Sequence, residues 1–377
     1  MSEIEFKIDQ EKNGNFRHEL YVEGKVVSRI GVYNLVMRIG VASVRMGGIA
    51  GVGTPEEHRG KGYSRRVLEN SNVWMTQEGF DCATLFGIAH YYNKFGYLPC
   101  LPECRVEVPT RYALLAPQSL SARPFTPEDV PAVRAIYDAN NAAQTGSIVR
   151  NAHHKWLHLG TTYGRGTRAV VFTDAQGEVV AYTAYDTTNE SNPIDYEMMV
   201  AEVGARERKH FPDIVRWLAE RAAEMHEGTL QFHLPPDSPF VAHLALYGAE
   251  QKIVFERMAD GMGRLLRIVP FFEKTLPEWT RRAREARNLP AGRSLRLETD
   301  LGSVALQWTG EAVERIEADS AAETLRLPQS HLMQVVMGYF GIEDALIFPE
   351  VSAQGELMLA TALFPRRLPY MWKPDRF

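Results

Sequence analysis

Cysteine is scarce, with three residues in 377 and an odd count. Cys82 stands alone, and Cys100 and Cys104 are too close together and too few for a disulfide framework or a four-cysteine zinc site. A reducing cytoplasm is the expected compartment. No stretch approaches the ~20 apolar residues that a membrane-spanning helix needs, and the opening Met-Ser-Glu-Ile-Glu-Phe-Lys has no apolar signal core, so neither insertion nor secretion is expected. Neither charge sign dominates: 42 basic residues oppose 47 acidic ones, a formal charge of -5. Such a chain has no basic field for a nucleic-acid partner. The eleven histidines are scattered; only His153, His154 and His158 form a local group, read as a polar helix face, and no metal is expected. Also missing are the P-loop pattern and an early Gly-x-Gly-x-x-Gly after a strand.

What is present is a globular composition, 45% hydrophobic and 10% aromatic, in a chain long enough for two or three domains at ~150 residues each. His18 to Val22 and Val26 to Tyr33, across Glu23-Gly24-Lys25, predict a hairpin. Val41 to Gly53 is a further extended run, ended by Thr54-Pro55-Glu56-Glu57. A helix follows from Tyr63 to Gly79, with Val67, Leu68, Val73 and Trp74 as its buried stripe and Gly79 as its stop. Asp81 to Ile88 reads as a strand. A proline-rich shift from Pro109 to Pro124 marks a boundary, and Thr126 with Pro127 opens a helix to Asn140. A second α/β unit has strands over 169–173, 179–186 and 195–203, a helix over 211–226 and a strand near Leu230. After Pro270, a helix opening at Leu276-Pro277 precedes paired strands at 294–298 and 302–308 and a helix over 328–338. The tail from Pro365 to Phe377 carries Tyr370, Trp372 and Phe377 as apolar handles, which predicts that it is docked.

The most informative string is Arg59-Gly60-Lys61-Gly62-Tyr63-Ser64. It stands between a predicted strand and a predicted helix, so backbone N–H groups gather at the positive helix end beside Arg59, Lys61, Arg65 and Arg66. A tight turn before a basic helix start would look the same by spacing alone. Gly47 to Gly53 lies within an extended run and is read as letting a ligand lie along the strand. With Val52-Gly53-Thr54-Pro55-Glu56 before it, this string resembles the acetyl-coenzyme A motif of the GNAT N-acetyltransferase superfamily, Arg/Gln-x-x-Gly-x-Gly/Ala. Arg59 and Gly62 match, and Ser64 replaces the last small residue. Tyr92-Asn93-Lys94-Phe95-Gly96-Tyr97, a third unit containing Leu327 to Met333 and Leu363-Phe364-Pro365, and the ending in Phe377 are similar to the enhanced intracellular survival (Eis) type.

The resemblance implies an α/β and α+β chain. Its parts are a GNAT domain over 1–115, a second, non-catalytic GNAT-like domain over 116–270, and a sterol-carrier-protein-like α+β domain over 271–377 whose C-terminus enters the active site. It implies acetyl-CoA as co-substrate, held by Val52, Gly53, Thr54, Arg59, Gly60, Lys61, Gly62, Tyr63 and Ser64. A small amine or lysine-containing acceptor and a homo-oligomer, a hexamer, are implied with it. The hairpin begins near residue 17, too early for the two helices that ordinarily precede it in a GNAT fold, so those helices are expected to be short or missing and the chain is open to being a truncated form.

An amine attacking a thioester must be neutral, must be held near the carbonyl, and must expel a thiolate that benefits from a proton donor. Tyr92 matches the position of the family's acid, with Tyr91 as rival; the Phe377 carboxylate matches its base, acting through water, with His90 as rival. A strand N–H near Val52 is the expected group for the thioester carbonyl. Asp375 is either a charge that attracts a cationic amine or a solvated surface acid. The competing class is a binding module that senses coenzyme A or holds an apolar ligand among Leu327, Leu332, Met333, Val336 and Met337.

Overall fold

A computed structural model of the chain describes residues 4–151, 168–186, 198–317 and 321–377. The histidine group at 153–158 and the expected strand start at 195–197 lie outside the described residues. The chain forms two compact units, Met1–Leu101 with Glu256–Pro369 and Phe377, and Pro102–Phe255 with Tyr370–Arg376.

In chain order, β1 (Ile4–Gln10), β2 (Phe16–Val22), β3 (Lys25–Ile39) and β4 (Ala42–Gly53) precede α1 (Tyr63–Gln77), β5 (Cys82–Gly87) and β6 (Leu98–Leu101). Then come β7 (Glu103–Pro109), α2 (Thr110–Ala113), β8 (Ser121–Pro124), α3 (Val130–Asn140), β9 (Arg168–Thr173), β10 (Val179–Asp186), β11 (Met199–Ala205), α4 (Phe211–Glu224), β12 (Thr229–Phe232), α5 (Pro239–Leu244) and β13 (Glu250–Val254). The last part holds β14 (Asp260–Leu265), α6 (Ile268–Glu285), β15 (Ser294–Thr299), β16 (Gly302–Trp308), β17 (Val313–Ile316), β18 (Glu323–Arg326), α7 (Gln329–Met337), α8 (Ile342–Ala345), β19 (Ser352–Gln354) and α9 (Met358–Leu363). Among the described residues the strands form three sheets, ordered β1-β2-β3-β4-β5-β14-β6, β13-β7-β12-β11-β10-β9-β8 and β17-β16-β15-β18-β19.

The sheets interleave along the chain, so strand membership departs from linear limits at 115 and 270. β14 inserts between β5 and β6, and β7 joins the second sheet between β12 and β13. Two glycines in β14 make that insertion fit: a Cβ at Gly261 would stand 2.7 Å from the Leu101 Cβ, and one at Gly263 would stand 2.6 Å from the Cys100 Sγ.

Residues 4–10 form a strand paired with β2, and no helix precedes β2 among the described residues. Two local expectations change. Val73 is 56% exposed; α1 buries Val67, Leu68, Ser71, Asn72 and Met75 instead, one face of its 3.6-residue repeat. Helix α6 starts at Ile268 and passes through Pro277. The buried face Phe271, Phe272, Thr275, Trp279 and Ala283 outweighs the one backbone bond a proline removes. At α3 the sequence is direct: Thr126 and Asp129 form a reciprocal capping box with Pro127 between them.

The core of the first unit lies between its sheet and α1, and His18 is inside it at 1% exposure. Its Nδ1 is 2.9 Å from the Ser71 Oγ, and its ring meets Trp74 edge-on at 4.6 Å. Burial lowers its pKa from 6.5 to about 4. The unfolded chain therefore takes the proton first, so stability is whole above pH 6.5 and falls as pH drops toward 4, by about 3 kcal/mol for this group. His233 in the second unit, lowered to about 3 by burial, adds to the same window. His18→Leu is expected to flatten part of the acid limb in a calorimetric pH series; an unchanged limb contradicts this.

In the second unit, Arg150 is wholly buried between two carboxylates. It donates to Glu202 at 2.8 and 2.6 Å and to Asp375 at 2.8 Å, while the hydroxyls of Tyr182 and Tyr137 donate to Glu202 and Asp375. Asp375 is thus neither a solvated surface acid nor a free charge for an amine; it is 3% exposed and neutralised. Arg150→Met would strand two buried carboxylates. A loss of roughly 3–5 kcal/mol in urea unfolding is expected, and a loss under 1 kcal/mol would show that the cluster has little weight.

Candidate active site

Parallel pairing of β4 with β5 runs from Met46–Cys82 to Ile49–Leu85 and then ends. Both strands continue, β4 still paired with β3 as far as Gly53 and β5 with β14 as far as Gly87. The cause lies in β4. Between the pairs Gly31–Ala50 and Arg29–Gly53 it holds one residue more than β3, and Gly51 within that bulge has φ 58°. A glycine bulge bends the strand, here where β4 and β5 separate. The facing edges of β4 and β5 are left with main-chain groups that no strand satisfies.

Beyond β4, the Ser28 Oγ donates to the Gly53 carbonyl at 3.1 Å and lies 3.0 Å from the Thr54 Oγ1, fixing the turn. Gly60 and Gly62 have φ 76° and 77°, and a Cβ on either would meet nothing within 4 Å. Gly62 is the N-cap of α1 and supplies no side-chain cap, and no acid stands in the first turn. The first N–H groups of α1 therefore lack a helical or capping partner at an exposed end carrying Arg65 and Arg66, a fit for a pyrophosphate. The Arg59 Nε donates to the Thr54 carbonyl at 3.3 Å and the Lys61 Nζ to that of Glu57 at 3.1 Å, so both chains fold along the loop. Val52, Gly53, Thr54, Tyr63 and Ser64 are half-buried around it.

Alternation along the strands separates the remaining groups by face. A Cβ at Gly47 would strike the Met75 sulfur of α1 at 2.3 Å, whereas one at Gly48 would strike the Phe377 ring at 2.6 Å. Gly48 thus makes room for the last residue of the chain. Tyr33 stacks on the Phe377 ring at 5.5 Å and Phe86 meets it edge-on at 6.0 Å. Tyr92 is on the other face: it packs against the core that holds Val67 and Leu68, and its ring lies where a Gly87 Cβ would go. Tyr92 and Phe377 flank the opening from opposite sides of the sheet.

The rivals are differently placed. The Tyr91 hydroxyl donates to the Ser64 Oγ at 2.8 Å, whereas the Tyr92 hydroxyl has no hydrogen-bond partner among the described residues. Burial, and then the neighbouring Tyr91, raises the Tyr92 pKa, so it stays protonated. His90 is exposed with φ 63°, and its N–H donates to the Met258 carbonyl. Sequence reasoning missed Tyr33 and Phe86, because only the pairing across β3, β4 and β5 brings them to the tail. It also missed a cleft of about 350 Å³ at the bulge, lined by Glu11, Arg17, Arg29, Tyr33, Ala50 and Gly51 among others. Its one advance signal was the glycine run closing β4.

The second unit repeats the plan without the cradle. β11 pairs in parallel with β12 only at Met199–Gln231 and Val200–Phe232 before running on to Ala205, and α4 follows. The Tyr182 ring lies 2.3 Å from where a Gly204 Cβ would be, and no residue from 204 to 210 has positive φ.

A family match agrees with this geometry: residues 7–100 match the acetyltransferase (GNAT) domain family. The protein is an acyltransferase, and GNAT domains of the kind that residues 7–100 match use an acyl-coenzyme A co-substrate in general. Solved structures share the fold over nearly the whole chain. A GCN5-related N-acetyltransferase from Anabaena variabilis is 19% identical over 96% of this chain and 89% of its own, with a TM-score of 0.73. One from Kribbella flavida is 17% identical over 96% and 87%, TM-score 0.71. Eis1 from Mycobacterium abscessus is 16% identical over 96% and 91%, TM-score 0.67. No curated protein matches the sequence.

Gly48→Val should displace the terminal ring while leaving the fold intact. Release of Phe377 by a carboxypeptidase is expected to quicken severalfold with the melting temperature nearly unchanged; native-like release would mean that Gly48 does not seat the tail.

Proposed function

We propose that the protein transfers the acetyl group of acetyl-CoA directly to a primary amine of a polyamine, an aminoglycoside-like molecule or a lysine side chain. The carrying observation is the pair Tyr92 and Phe377, one on each face of the sheet at the opening between β4 and β5. The thioester supplies an activated acetyl group. The Gly60–Ser64 turn and the start of α1 hold the pyrophosphate, and the free edge of β4 near Val52 holds the pantetheine arm and polarises the carbonyl. The Phe377 carboxylate removes a proton from the acceptor ammonium through water, and the cleft beside Tyr33 admits that amine. Attack forms the amide C–N bond and breaks the C–S bond; the Tyr92 hydroxyl gives its proton to the leaving sulfur, and the second proton of the attacking nitrogen passes through water to the Tyr92 phenolate, restoring it.

In this reading the chain is of the Eis type: the second unit is non-catalytic, the α+β part after α6 is sterol-carrier-protein-like, and the assembly is a hexamer. The five apolar residues considered as a ligand cavity are all buried, and Met333 packs 3.0 Å from where a Gly263 Cβ would be. That packing favours turnover over storage of an apolar ligand.

The test is thiol release from acetyl-CoA across polyamines, aminoglycosides and lysine peptides. Tyr92→Phe is expected to lower kcat roughly 10²–10³-fold without changing coenzyme A affinity, and an extension of a few residues after Phe377 to abolish turnover. Full turnover in Tyr92→Phe overturns the acid, full turnover in the extended chain overturns the base, and no release with any amine overturns the transferase reading itself.

A further inference from the structure

The C-terminal end of α6 gathers more positive charge than its carboxylates can neutralise. Glu278 accepts from Arg281 at 2.8 and 2.7 Å, from the Arg282 Nε at 2.6 Å and from the Val41 N–H at 3.1 Å, which engages both of its oxygens. Glu285 pairs with Arg281 at 2.5 Å and lies 3.7 Å from the Arg367 Nη2. Three guanidiniums therefore share two carboxylates. A third acid nearby, Glu356, is held by Arg293 at 2.7 Å and adds no surplus negative charge.

Two donors in this cluster have nothing to bond. The Arg282 Nη1 donates to the Leu363 carbonyl at 2.9 Å, but its Nη2 is buried without a partner, and so is the Arg367 Nε. Arg282 as a whole is 1% exposed. Burial, opposed by Glu278 and reinforced by the positive neighbours Arg367 and Arg281, pulls its pKa down to about 10. A buried guanidinium edge facing neither water nor an acceptor is unfavourable, and an anion removes both the open donors and the charge imbalance.

Arg282 and Arg367 line one cleft of about 510 Å³. Arg287 stands at the same cleft, and apolar walls come from Leu289, Met358, Ala362 and Pro365. None of these residues belongs to the transferase site. We propose that this cleft is a second binding site, for an organic anion: a carboxylate on an apolar body, its oxygens taking the N–H groups of Arg282 and Arg367 and its body lying on the apolar walls. The site is independent of the acceptor and the co-substrate.

Calorimetric titration of the full chain with octanoate, acetate and octylamine tests the proposal. Octanoate is expected to bind, acetate to bind at least tenfold more weakly, and octylamine not at all. Arg367→Gln, at a partly exposed position, should raise the octanoate Kd about tenfold with the circular dichroism spectrum unchanged. Arg282→Met should abolish binding, and where that variant does not fold Arg367→Gln decides alone. Absence of octanoate binding to the native chain, equal affinity for acetate, or an unchanged Kd in Arg367→Gln overturns it.

Discussion

The end of parallel pairing at Ile49–Leu85 is the constraint on which the chemistry proposed for the first unit depends. A closed sheet would satisfy the main-chain groups of β4 and leave no place for an extended co-substrate arm. One extra residue in β4, with Gly51 in the left-handed region, opens the edge while β3 and β14 keep both strands anchored. Pairing with β3 and β14 on the outer sides holds both strands in place, and fixed main-chain N–H groups are the condition for stabilising developing charge in the proposed mechanism.

The same strand register sorts the side chains on the two faces of the sheet. Alternation sends Gly47 toward α1 and Gly48 toward Phe377, and on β5 it sends Leu85 toward α1 and Phe86 toward Phe377. In the proposed mechanism Tyr92, beside the α1 face, is the proton donor and the Phe377 carboxylate, beside the other, is the base, so the two do not compete for one space. Because the two glycines are adjacent, helix packing and tail seating are adjusted by neighbouring positions of one strand.

How much of this was legible in the sequence follows from range. The hairpin, α1, the capping box at Thr126 and the glycine turn at Gly60 to Gly62 are written in neighbouring residues and could be read directly. The place of β14 could not: its partners Cys82–Gly87 and Leu98–Leu101 are more than 150 residues away, and its two glycines look like a weak strand until the crowding by Leu101 and Cys100 is seen. Asp375 likewise reads as a surface acid in a charged tail, because its partner Arg150 is far off in sequence. Pro277 reads as a helix start because local rules give proline that role, and only packing of the α6 face explains its interior position. Tyr92 and Phe377 entered by resemblance; their assignment to opposite faces needed the register.

Hydrogen exchange of the native chain with and without acetyl-CoA addresses the central claim directly. Amides of residues 50–53 at the open edge of β4 and 60–66 at the start of α1 are predicted to slow together on addition, while 204–210 in the second unit stay unchanged. Protection at 204–210 with none at 50–53 and 60–66 would contradict the account.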